Sequence, residues 1–175
     1  GDETSADLQD GRGTSFPERK RRRNSSRWLW QLPVIEKERH GIEMDVLKKT
    51  PVREQEASVR ATNFDEVCLG YNKEEAMEEA SRCINCKNAQ CIKGCPVAIN
   101  IPKFIEEVKN GQIEDAYHTI SESSALPAIC GRVCPQESQC EGKCIRGIKG
   151  EPISIGKLER FVADWATQNE IKPVV

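Results

Sequence analysis

Eight of the nine cysteines lie between Cys83 and Cys144, in two runs, Cys83-x2-Cys86-x4-Cys91-x3-Cys95-Pro96 and Cys130-x3-Cys134-Pro135-x5-Cys140-x3-Cys144. Thiols at this density must pair, bind metal or be kept reduced, so any fold has to settle where they go. The odd number argues against complete disulfide pairing. Residues 1–43 hold no apolar stretch longer than Trp28-Leu29-Trp30. No signal peptide is read there, and the expected compartment is the cytosol, where thiols stay reduced and available to metal. Only 37% of the 175 residues are hydrophobic and 31% are charged, a thin apolar inventory for one domain plus tails, so a second source of stability is expected. No segment reaches membrane-spanning length. A net charge of −2 makes no case for nucleic acid or an anionic membrane as partner.

The spacing points to iron-sulfur chemistry. A [4Fe-4S] cube offers four iron corners, and a Cys-x2-Cys loop such as Cys83/Cys86 reaches two of them because its short arc turns both sulfurs inward. A third cysteine a few residues on reaches a third corner, and the last must come from elsewhere in the chain. In the bacterial two-cluster ferredoxin run, the Cys-Pro cysteine after an x3 gap ligates the other cluster. Here the middle gap is x4, so this is not that ferredoxin. By analogy, Cys95 is expected to leave the first run for a second cluster, while one cysteine of the second run completes the first. The competing reading is a zinc-binding, cysteine-rich structural or interaction module. Zinc ribbons usually show two tight pairs, whereas this chain has a single Cys-x2-Cys. Cys68, alone in Glu66-Val67-Cys68-Leu69, reads as a small buried hydrophobe. His40 and His118 read as solvated side chains rather than ligands.

The remainder divides into a tail and a helical region. Residues 1–60 combine an acidic start, the basic run Arg19-Lys20-Arg21-Arg22-Arg23 and scattered charge, and read as a disordered or extended tail. Met44 offers a plausible natural start, with residues 1–43 a non-native leader. From Asn72 the signals are helical. Asn72 and Glu75 form a capping box before Ala76, Met77, Ala80 and Ile84, a face running into Cys83. Asn100 and Pro102 open a helix with Phe104, Ile105 and Val108, which Asn110-Gly111 stops. Ile113, Ala116, Tyr117 and Ile120 mark a third helix, and Ile155, Leu158, Val162 and Trp165 a fourth. No run alternates with period two. The expected class is all-α, with irregular loops holding the cysteines in a domain over residues 61–170.

Several stretches carry a resemblance: Ser81-Arg82-Cys83-Ile84-Asn85-Cys86, Gly94-Cys95-Pro96, Ile129-Cys130-Gly131-Arg132-Val133-Cys134-Pro135-Gln136, Cys140-Glu141-Gly142-Lys143-Cys144 and Pro152–Phe161. Residues from about Met44 to Lys172 resemble the amino-terminal region of the NADPH-dependent glutamate synthase small (beta) chain. That region is shared with the dihydropyrimidine dehydrogenase amino-terminal domain and the large subunit of ferredoxin:NADP transhydrogenases. The resemblance implies an α-helical ferredoxin with two [4Fe-4S] clusters. By motif position, Cys83, Cys86, Cys91 and Cys144 would hold one cluster, and Cys95, Cys134, Cys140 and Glu159 the other, leaving Cys130 as a non-ligand.

It also implies an electron-transfer domain relaying single electrons between a flavin domain and a partner site, catalytically incomplete alone. The implied partners are the flavin/NADPH domains of a parent chain and a glutamate synthase large subunit or its equivalent. A Gly-x-Gly-x-x-Gly fingerprint would follow Trp165 in such a parent, but the sequence stops at Val175. FAD and NADPH are therefore expected only in further domains, with residues 171–175 the start of a linker. Counting alone favours Cys130 as eighth ligand and the resemblance favours Glu159, which lies on the flank of the stripe expected to be buried. The alternative for Glu159 is a salt bridge with Arg160 or Arg132.

Overall fold

The computed structural model describes residues 46–173. The expectations for the leader, the basic run, His40 and the start at Met44 lie outside the described residues. In chain order the elements are β1 (Arg53–Glu54), α1 (Ala57–Arg60), β2 (Cys68–Gly70), α2 (Lys73–Ser81), α3 (Gln90–Gly94), α4 (Ile101–Lys109), α5 (Ile113–Ser121), α6 (Pro127–Val133) and α7 (Ile155–Gln168). Two 3-10 turns, Glu141–Lys143 and Ile145–Ile148, precede α7.

The core forms where the apolar stripes meet. α2 packs on α4, α4 on α5, and α5 on α7. Phe104, Ile105 and Val108 of α4, Ile113, Ala116 and Ile120 of α5, and Ile155, Leu158 and Val162 of α7 are all buried. Each large aliphatic or aromatic side chain contributes about 1.5–3 kcal/mol by leaving water. The Asn72 side chain accepts from the Glu75 N–H at 2.8 Å, and Glu75 Oε2 accepts from the Asn72 N–H at 2.7 Å, closing the capping box. α4 ends at Asn110-Gly111, where Gly111 takes φ +76°, a left-handed conformation that costs glycine little. Among the described residues no helix is long and apolar enough to cross a membrane.

Three expectations change. The class is helix-rich rather than all-α, because β1 and β2 pair antiparallel with Arg53 opposite Gly70 and Glu54 opposite Cys68. Strands of two and three residues are too short to display period-two alternation, so no pattern announced them. The cysteine segments are partly helical, with Cys91 on α3 and Cys130 on α6. Finally, α2 stops at Ser81, with Arg82 as its C-terminal cap, so Ile84 leaves the apolar face and is 52% exposed.

The stretch read as tail up to residue 60 is held to the domain from Val46 onward. The Leu47 carbonyl accepts from the Glu151 N–H at 2.7 Å, and the Thr50 carbonyl from the Tyr71 hydroxyl at 2.8 Å. The Thr50 N–H donates to Glu79 Oε2 at 2.8 Å, and Lys49 Nζ meets Glu141 Oε2 at 2.7 Å. Polar bonds to carboxylates buried beneath the segment hold it, and hydropathy does not register such bonds.

Candidate metal centre

Local structure sets the first group of thiols. Cys83 and Cys86 follow the end of α2, and Asn85 between them takes φ +47°, turning the loop sharply. Cys91 sits on α3, and Cys144 separates the two 3-10 turns. All four line one cavity of about 400 Å³, whose wall includes Ile101, Pro102 and Ile105 of α4. Burial raises the Cys83 thiol pKa most, the Asn85 backbone N–H opposes it, and the Cys144 and Cys86 thiols add to the rise. Burial, then Cys144 and Cys83, pushes Cys91 up to about 11.

A close backbone approach joins the two runs. α3 packs against the Glu141–Lys143 turn. A methyl group on Gly94 would lie 2.6 Å from the Gln139 carbonyl oxygen, so only glycine lets these backbones meet. The Cys91 end of α3 thereby faces Cys144, and the Cys95 end faces Cys140.

The second group forms where α6 lies along α7. A methyl on Gly131 would be 2.7 Å from the Arg160 backbone nitrogen, which sets Cys134, at the end of α6, beside Glu159. Cys134 is raised first by burial, then by Cys130, with Glu159 and Cys95 contributing. Cys140 is pushed up to about 12 by burial and the Glu141 carboxylate, with Cys95 and Glu159 adding. Cys134 and Cys140 thus share Cys95 and Glu159 as electrostatic neighbours, and Cys134 has Cys130 as well.

Glu159 is 6% exposed, its Oε1 has no hydrogen-bond partner, and burial raises its carboxyl to about 7. The salt-bridge alternative is not realised. Arg160 instead bonds the Cys68 carbonyl at 2.6 Å and pairs with Glu66 at 3.2 Å, and Arg132 pairs with Glu66 and Asp164, both at 2.9 Å. A buried carboxylate oxygen without a donor carries a desolvation cost that coordination would remove. Cys130 is half-buried, beside the Cys134 thiol and 3.9 Å from Ser124 Oγ. Cys68 lies half-buried on β2, and His118 half-buried on α5 beside Tyr117.

The donor chemistry fits iron and inorganic sulfide: soft thiolates predominate, and aliphatic side chains wall the first cavity. Among the described residues, no three His, Cys, Asp or Glu donors converge tightly enough for one metal ion.

Spacing did not identify the residues that brace these sites. Glu79 and Arg82, both fully buried, pair at 2.6 Å next to Cys83. Arg146 Nε donates to the Arg82 carbonyl at 2.8 Å, joining the loop after α2 to the Cys144 turn. Buried Glu141 accepts from Lys49 and from the Gly156 N–H at 3.2 Å. Their partners are distant in sequence, and a charged residue beside a cysteine is no signal by itself.

The family model described as dihydropyrimidine dehydrogenase domain II, 4Fe-4S cluster, matches residues 60–171. The chain is 40% identical over 105 residues to the NAD-dependent dihydropyrimidine dehydrogenase subunit PreT of Escherichia coli K12, covering 60% of this chain and 26% of that protein. It is 35% identical over 123 residues to the glutamate synthase [NADPH] small chain of Halomonas elongata, covering 70% and 26%. The corresponding figures for the glutamate synthase [NADPH] small chain of Azospirillum brasilense are 36% over 120 residues, 67% and 25%. The chain thus spans about a quarter of the length of these relatives. The matched stretch, residues 60–171, holds all eight clustered cysteines, and the chain belongs to the dihydropyrimidine dehydrogenase domain II 4Fe-4S family.

Proposed function

We propose that this chain holds two [4Fe-4S] clusters and relays single electrons between a flavin domain and a partner site in a glutamate synthase-like oxidoreductase. Cys83, Cys86, Cys91 and Cys144 hold one cluster; Cys95, Cys134, Cys140 and Glu159 hold the other. When bound, each cluster takes up and releases one electron, so a pair can divide the two electrons of a reduced flavin. The chain's own residues fix and shield the sites. Ile101, Pro102 and Ile105 give the first cavity an apolar wall. The α6–α7 contact at Gly131 holds Glu159 to Cys134. FAD and NADPH belong to the further domains of a longer parent, and a glutamate synthase large subunit or an equivalent redox protein is the distal partner. This domain alone carries electrons without turning over a substrate.

The observation that carries the reading is the unpartnered, buried Glu159 Oε1 beside Cys134 and Cys140. The test is anaerobic purification followed by iron quantification and electron paramagnetic resonance. Two cubes give about eight irons per chain and a brown protein. Cys130→Ala keeps both clusters, while Glu159→Ala perturbs one and spares the other. The reverse pattern would assign Cys130 as the eighth ligand, and a colourless, zinc-loaded protein would remove the redox role altogether.

A further inference from the structure

Among the described residues, the segments at the mouth of the first cavity are rich in cations. Residues 83–95 and 142–150 supply most of its lining. These segments hold five of the chain's 26 cations, Lys87, Lys93, Lys143, Arg146 and Lys149, and none of its 28 carboxylates. The four lysines are exposed, and no ion pair engages them among the described residues. Lys143 packs over Gly94, which brings it next to Lys93. Arg146 lines the cavity and is tied by Nε to the Arg82 carbonyl. Between these cations, Ile84, Ile145 and Ile148 stand 52%, 51% and 77% exposed. Carboxylates lie at the edges of this rim: Glu106 accepts from Asn85 Nδ2 at 2.8 Å, and Glu141 and Glu151 flank the second segment.

We propose that this apolar centre with its cationic rim is the docking surface for an acidic one-electron carrier protein, which meets the domain at the mouth of the Cys83–Cys144 site. Exposed aliphatic side chains with the cations Lys143 and Arg146 beside them resemble the core-and-rim anatomy of a transient interface. Among the described residues these lysines form no ion pair, and on a chain of net charge −2 their field favours a negative partner locally. An electron carrier gains from this placement, since fast and reversible encounter is set by rim charges more than by buried area. The assignment rests on the cluster reading above.

The test uses the intact iron-loaded chain and an acidic plant-type [2Fe-2S] ferredoxin as probe, with association rates measured as salt is raised. Lys87→Glu combined with Lys149→Glu slows association about tenfold or more and flattens the salt dependence. Ile148→Ser accelerates dissociation. Lys87→Arg with Lys149→Arg behaves as the parent does, and so does Lys73→Glu with Lys109→Glu, at the far ends of α2 and α4. Iron is counted in every variant first. A chain that takes up no iron refutes the cluster reading and this inference together. Full iron with unchanged association refutes the docking surface alone. Equal association of a basic cytochrome, self-association lost in Ile148→Ser, or protection of Lys87 and Lys149 from acylation within a longer parent chain would also overturn it.

Discussion

Replacing Glu79 by alanine leaves the Arg82 guanidinium buried without its counter-charge. In the native domain, Glu79 Oε1 accepts from Arg82 Nη1 at 2.6 Å and from the Ser154 N–H at 2.8 Å, while Oε2 accepts from the Thr50 N–H at 2.8 Å. Arg82 keeps its carbonyl acceptors, Glu151 at 2.7 Å and Val46 at 3.3 Å, but these dipoles do not neutralise it. Breaking one side of a buried pair costs about 3–5 kcal/mol. The two orphaned N–H groups bring the loss to the upper end of that range if no water enters. Against a typical domain stability of about 5–15 kcal/mol, this is a third or more.

Because every 1.4 kcal/mol is about tenfold, amide exchange at Thr50 and Ser154 should accelerate at least about a hundredfold. Anaerobic thermal unfolding should show the loss independently. Iron at the proposed Cys83–Cys144 site should loosen as well, since the Arg82 carbonyl anchors Arg146 beside Cys144. Replacing both partners with apolar residues, as Glu79→Leu with Arg82→Met, should cost less than the sum of the single changes. A Glu79→Ala domain within about 1 kcal/mol of the parent, with Thr50 and Ser154 still protected, would refute the account.

Three further outcomes are expected. Chelating the iron should melt the domain, because the thin core leaves much of its stability to the metal held by the proposed ligand thiols; native helicity and a sharp transition in stripped protein would contradict this. Gly131→Ala should force α6 away from the Arg160 backbone at a cost of about 1–3 kcal/mol and selectively weaken the second iron site, as read by iron counting and electron paramagnetic resonance. The Glu66 carboxyl lies below its ordinary 4.5, held there chiefly by its hydrogen bond from Arg132. Its latch between the hairpin and α6 is therefore complete above that pH and released as pH falls through the depressed value, so exchange protection of Cys68–Gly70 should decline in acid in the wild type but not in Glu66→Gln.

The sequence by itself determined the helical core and the ligand candidates, because both are written in short-range spacing. The capping box at Asn72 and the stripes of α4, α5 and α7 repeat every three or four residues, and packing buries whichever face is apolar. The cysteine spacings likewise carry their chemistry locally, through the reach of a Cys-x2-Cys loop. Only the tertiary structure decided which carboxylate beside the thiols lacks a partner. Glu159 and Glu141 are both buried acids, yet Glu141 accepts from Lys49 and Gly156 while Glu159 Oε1 accepts from nothing. The same holds for the close approaches at Gly94 and Gly131, the hairpin of β1 with β2, and the anchoring of residues 46–50 on Glu79 and Glu141. Each depends on groups tens of residues apart in the chain, and no local periodicity encodes which distant partner a buried charge or an unpaired strand will find.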